Sequence, residues 1–130
     1  MYRSLKENTL ATNPLFTTAE AKDFLKVDTT ADDTLIDNLI KAATQSCEVY
    51  TNRYFLDTLV TQYADKWSDI NTLYKSPVSS ITHIKYYDSN DSLQTLDTSV
   101  YLVDEVSQPA RIGLKPQQSF PNLADRINAI

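Results

Sequence analysis

The sequence predicts an α+β fold, with N-terminal helices, one of them long and amphipathic, followed by a small antiparallel sheet of short strands. Three observations carry this. Apolar residues recur at helical spacing between Leu35 and Tyr54. Short runs rich in β-branched and aromatic residues follow only after Tyr54. Turn-forming residues separate those runs closely, which does not suit an alternating βαβ series. The 130 residues, 42% of them hydrophobic, amount to one domain with a core to bury.

Residues 1–16 have no clear period and contain Pro14, so they read as an extended arm. A single domain is expected over 17–130, with helices across 17–53 and the sheet region across 56–130. Thr17-Thr18-Ala19-Glu20 has capping-box spacing, in which a hydroxyl and a carboxylate satisfy orphan amides reciprocally. The helix it starts runs through Ala21, Phe24 and Leu25 and fades at Val27-Asp28. Thr30-Ala31-Asp32-Asp33 offers a second cap, with two carboxylates at the positive end of the helix dipole.

From there Leu35, Ile36, Leu39, Ile40, Ala43, Cys47, Tyr50 and Tyr54 fall within an arc of roughly 140° at about 100° per residue, one continuous stripe. Asp37 and Lys41 form an i,i+4 pair on the wet face. Small residues at Ala43, Ser46 and Cys47 leave room for a neighbouring helix. The stripe is expected to hold the fold. On that reading Cys47 is a buried, inert thiol, and aspartate at Leu39 costs several kcal/mol.

Strands are predicted at 59–65 and 81–87, with Ser76-Pro77-Val78-Ser79-Ser80 between them. Asp88-Ser89-Asn90-Asp91 is a turn cluster. Shorter strands follow at 93–96, 100–103 and 111–114, then a loop marked by Pro116 and Pro121, then a last strand within 124–130. Gly113 is the only glycine, which excludes phosphate-cradling and dinucleotide loops and leaves turns to Asn, Asp, Ser and Pro.

Chemistry-bearing residues are sparse. A single cysteine cannot form an internal disulfide and suits a reducing compartment. The N-terminus has no apolar signal region, and no run approaches the roughly eighteen apolar residues of a membrane span. The net charge of -5, with twelve basic residues scattered, argues against a primary nucleic-acid binder. His83 is the sole histidine, so any triad or Cys–His pair must include it. It reads as an ordinary position in the middle of a strand. One His and one Cys assemble no zinc site of usual spacing.

Asp28, Asp32 and Asp33 are explained by a helix start. Asp88 to Asp91 lack the glycine and distal glutamate of a calcium loop and read as a hairpin turn. Asp104 and Glu105 read as surface charge. Tyr86 and Tyr87 put rings on opposite faces of a strand, either core and partner or two-sided packing in one subunit. No catalytic residue, cofactor or metal is predicted, and the chain is read as not an enzyme.

The order of elements carries a resemblance. Thr18-Ala19-Glu20-Ala21-Lys22-Asp23-Phe24-Leu25-Lys26-Val27-Asp28 is followed by an acidic spacer. Asp33-Thr34-Leu35-Ile36-Asp37-Asn38-Leu39-Ile40-Lys41-Ala42-Ala43 and Glu48-Val49-Tyr50-Thr51-Asn52-Arg53 come next. The series resembles the N-terminal signature of the head–tail connector (neck adaptor) family of tailed bacteriophages, prophages and gene-transfer agents. Ser76 to Asp88, Leu96-Asp97-Thr98-Ser99-Val100-Tyr101 and Pro109-Ala110-Arg111-Ile112 continue it.

The resemblance implies a structural protein of the virion neck, made in the bacterial host cytoplasm. It implies a ring of about a dozen copies below the portal protein, joined on the other side to a tail-side neck or tail-terminator protein. DNA passes through its channel without sequence-specific binding, and no membrane is involved. Leu25, Asp33, Leu35, Ile36, Leu39, Ala43, Tyr50, Arg53, Tyr87 and Asp88 are the motif positions expected in packing or subunit contacts. Relatives continue through a further strand and a C-terminal helix, so a stop at Ile130 implies a shorter relative or a missing segment. The arm at 1–16 and the loop at 115–122 are expected to order on docking. The alternative is a cytoplasmic, non-enzymatic protein-binding or regulatory module.

Overall fold

The computed structural model describes residues 3–9 and 12–130. The chain divides into two compact units, one helical over Asn8–Leu59 and one of strands over Val60–Ile130 that includes the N-terminal residues up to Glu7.

In the helical unit, α1 spans Thr18–Leu25 and α2 spans Asp33–Thr51. The capping box forms as its spacing predicts. Thr17 Oγ1 accepts from the Glu20 amide at 3.2 Å, and Glu20 Oε2 accepts from the Thr17 amide at 2.8 Å. Asp32 stands at the N-cap of α2 but makes no side-chain capping bond, so the predicted cap is not a hydrogen-bonded one. The neighbouring Asp33 carboxylate instead accepts from Lys22 Nζ at 2.7 Å and ties α1 to α2. The pair of Asp37 with Lys41 forms at 2.7 Å.

Both helices end on non-glycine residues in the left-handed region, Lys26 and Asn52, as the glycine shortage requires. Among the described residues, Asn52, Asp91 and Asn128 are three of the five with positive φ, since a short polar side chain tolerates that region best. After α2 the Glu48 carboxylate accepts from the Phe55 and Leu56 amides and holds the exit of the chain.

In the strand unit, β1 (Arg3–Thr9) pairs with β2 (Leu59–Ala64), β3 (Lys85–Tyr87) with β4 (Leu93–Thr95), and β5 (Tyr101–Asp104) with β6 (Arg111–Leu114). The expected small sheet is thus three two-stranded ladders among the described residues. The latter two are antiparallel, with Tyr86 opposite Gln94 and Leu102 opposite Gly113. Much of the expected arm is therefore a paired strand; residues 1, 2, 10 and 11 of it lie outside the described residues.

Ala64, Ile70, Ile84, Leu96, Tyr101 and Ile112 form the core, with Trp67, Tyr86, Val103 and Phe120 packed against it. Residues 81–84 are not part of β3, so His83 is an exposed side chain ahead of the strand and not within one. Ile84 next to it turns into the core.

The last strand predicted at 124–130 does not form. Asn128 adopts the left-handed region and breaks the extended run. The segment still docks by its backbone. Ala64 and Ile130 exchange two hydrogen bonds of 3.0 Å, Tyr87 N–H donates to the Ala129 carbonyl, and Ala129 is fully buried. The loop at 115–122 is anchored too, because Phe120 stacks on Trp67 at 4.5 Å and Trp67 Nε1 donates to the Pro121 carbonyl at 2.7 Å.

Candidate interaction surfaces

The apolar stripe of α2 has two fates. At about 100° per residue, Ile36, Ile40 and Thr44 lie on one flank, and Leu35, Leu39 and Tyr50 on the other. The first flank lies toward α1, where Ile36 and Thr44 are the only buried residues among the described ones of this unit. The second is bare: Leu39 is 59% exposed and Tyr50 91%. Phe24, Leu25 and Leu35 are exposed as well. An apolar trough between α1 and α2 is lined by Leu15, Phe16 and Leu25 and, from α2, by Ile36, Ile40 and Thr44 of the first flank with Leu39, Ala43 and Cys47.

Two expectations are therefore corrected. Cys47 is exposed, not buried. Leu39 is not a core position of the single chain. Apolar periodicity says which side chains share a face; it does not say what covers that face.

The motif positions fall in both units. Leu25, Leu35, Leu39, Ala43 and Tyr50 crowd the exposed side of the helical unit, Ile36 fills its interior, and Asp33 holds Lys22. Arg53 follows the α2 C-cap, its amide bonded to the Glu48 carbonyl at 3.1 Å. Tyr87 and Asp88 belong to the β3–β4 hairpin of the other unit. Both tyrosine rings are engaged within the chain. Tyr86 lies 5.5 Å from the Trp67 ring, and the Arg126 guanidinium sits 3.9 Å from the centroid of Tyr87.

Asp88 makes the turn. Its Oδ1 accepts from the Asn90 and Ser92 amides at 2.9 and 3.1 Å, and Oδ2 accepts from Gln94 Nε2. A hairpin needs that geometry and a calcium loop does not.

Asp104 closes the β5–β6 ladder. The Ser107 side chain, Arg111 and the Ser107 amide together hold its carboxyl well below its ordinary value of 3.8. The Ser92 and Asn90 amides lower Asp88, and the Ser99 amide lowers Asp97. A carboxyl depressed in the folded state adds stability above its unfolded pKa, and that stability disappears as pH falls through the folded value. Stability of the strand unit is therefore expected to hold from neutral pH to about pH 4 and to fall below it. Circular dichroism along an acid titration checks this. The Asp104→Asn chain is expected to lose stability less steeply on that limb; a curve superimposable on the parent's shows that Asp104 contributes nothing.

Sequence reasoning missed a third surface. Trp67, Leu102, Val103, Ile112, Gly113 and Phe120 line a shallow groove of about 760 Å³ along β5–β6. Its one sequence signal is the chain's sole glycine, placed inside a predicted strand with no turn residue beside it. No group of three or more His, Cys, Asp or Glu side chains converges as a metal site among the described residues. No helix there is long and apolar enough to cross a membrane.

A family model described as Phage gp6-like head-tail connector protein matches residues 17–116. The chain belongs to this family. Its role is that of a structural connector between phage head and tail. Among curated proteins and among solved structures, nothing matches the connector significantly. The match spans both units, from the capping box of α1 through β6.

Proposed function

We propose that the connector closes into a ring beneath the portal protein and passes the join on to a tail-side neck or tail-terminator protein. Double-stranded DNA runs through its channel without sequence-specific contact. The virion neck is then its place of action, after synthesis in the host cytoplasm. About a dozen copies suit a cyclic, heterologous assembly of this kind.

The observation that carries this reading is the helical unit. Ile36 is its single buried large apolar side chain among the described residues, while Leu35, Leu39 and Tyr50 lie bare. Short helices gain most of their stability from packing an apolar face, and a contiguous exposed patch marks an interaction site. The net charge of -5 suits a conduit, since a basic lining grips passing phosphates. Motif positions Leu25, Leu35, Leu39, Ala43 and Tyr50 serve as subunit contacts in this reading. Asp33, Ile36, Tyr87 and Asp88 serve folding within the subunit, and Arg53 holds the turn after α2.

The test mixes purified connector with portal-bearing heads that lack it and images the neck by electron microscopy. A ring of added density beneath the portal is expected. Protein that stays in solution while the neck remains bare rules the ring reading out.

A further inference from the structure

Gly113 is the chain's only glycine, and nothing inside the subunit requires it. Its φ is not in the left-handed region. A Cβ at this position meets no atom within 4 Å. It lies within β6, where a missing side chain forfeits packing and restricts the backbone least. A strand glycine without an internal reason marks a place where another backbone comes close.

The surroundings fit an approach from outside. Gly113 pairs with Leu102, which is 52% exposed on the same outward face. The nearly parallel Trp67–Phe120 stack (6° between planes) gives the groove a flat aromatic wall. The Asp104–Arg111 ion pair closes at 2.6 Å on the same face, so its charges largely cancel. The occupant is therefore apolar and needs no matching charge.

We propose that this groove receives the exposed ridge of α2, Leu35, Leu39 and Tyr50, from a second copy of the chain. The inference rests on the ring reading and names the two surfaces that meet in it. A ring closes through heterologous contacts, which demand two different surfaces on every copy. This chain carries a bare apolar ridge on one unit and a bare apolar groove on the other. Charge points the same way. The helical unit holds eight acidic and four basic residues, a net of -4; the strand unit holds nine and eight, a net of -1. Ridge against ridge sets -4 against -4, whereas ridge into groove sets -4 against -1 and repels far less. A floor without Cβ lets a helix settle close, and Ala43 and Ser46 keep the ridge low between Leu39 and Tyr50.

The experiment uses Gly113→Val in the full chain with portal-bearing heads that lack the connector. The open space and ordinary φ mean that the fold tolerates valine, so an unchanged or raised melting temperature is expected. Ring density is expected to vanish, or to need at least about tenfold more protein, because the branched side chain fills the floor. A second variant, Leu102→Cys, tests contact directly against the native Cys47 beside the ridge. A short bismaleimide is expected to give an interchain ladder in assembled rings and none once Cys47 is replaced by serine. Gly113→Val rings that assemble like the native protein, or native-like rings that fail to crosslink, overturn the inference and leave the ring reading standing. Native protein that forms no ring overturns both.

Discussion

Replacing Trp67 by alanine is expected to destabilise the strand unit by about 3 kcal/mol, the low end of the range for removing a large aromatic from a core. Three contacts disappear at once: the 4.5 Å stack on Phe120, the tilted contact with Tyr86 and the indole hydrogen bond to the Pro121 carbonyl. The first and third are the anchors of the loop at 115–122, so that loop is expected to come loose with the substitution. Trp67 reaches across 53 positions of sequence to Phe120, and no local structure replaces such a bridge. In a unit of this size each kcal/mol moves the melting temperature by roughly 4–8 °C, so a drop of more than roughly 10 °C is expected.

Thermal unfolding followed by far-ultraviolet circular dichroism measures it. Trp67→Phe separates the parts. It keeps a ring against Phe120 and loses the N–H donor, so a cost of about 1 kcal/mol is expected. An alanine chain that melts within a degree or two of the parent shows that the stack is ornamental to the fold.

The parts of this protein that could be read from its sequence are those decided within one turn of chain. The Thr17–Glu20 capping box, the Asp37–Lys41 pair and the Asp88 turn each involve residues at most six apart, and each stands where local chemistry predicts. The order of helices before strands follows from periodicity, which is also local. What the sequence hides is settled at long range. Ala129 reaches full burial although its segment is not a strand, because Asn128 turns the backbone and Tyr87 and Ala64 supply the hydrogen-bond partners. His83 reads as a strand residue from its β-branched neighbours, yet the ladder begins only at Lys85. Trp67 and Phe120 carry no spacing signal that pairs them.

The motif positions show the same division between local pattern and distant cause. Leu35, Ile36 and Leu39 are equivalent by pattern, and the structure separates them into one buried residue and two bare ones. Position on the helix explains it: α1 is short, eight residues against nineteen in α2, and covers one flank of the stripe only. On the ring reading proposed above, a bare flank persists because each copy keeps a surface for its neighbour.

Leu39→Asp puts that reason to the test, and the result expected now is the reverse of the one periodicity suggests. Were Leu39 a core residue, aspartate there would cost several kcal/mol and the fold with it. At 59% exposure the carboxylate stays in water, and the isolated chain is expected to melt within about 0.5 kcal/mol of the parent. The single Trp67 reports the strand unit by fluorescence, and far-ultraviolet circular dichroism reports the helices. Assembly is another matter. If the ridge is covered in the ring, the same carboxylate loses its water without gaining a partner. A penalty of about 3 kcal/mol at each interface weakens each contact roughly hundredfold. In a closed ring every subunit carries that loss, so no ring is expected on portal-bearing heads at concentrations that saturate the parent. Ile36→Asp is the internal contrast, because Ile36 is 7% exposed and its replacement should unfold the helical unit before assembly is ever tried. A Leu39→Asp chain that folds and still builds normal rings places the subunit contact elsewhere, and one that fails to fold shows that this flank of α2 is covered within the chain.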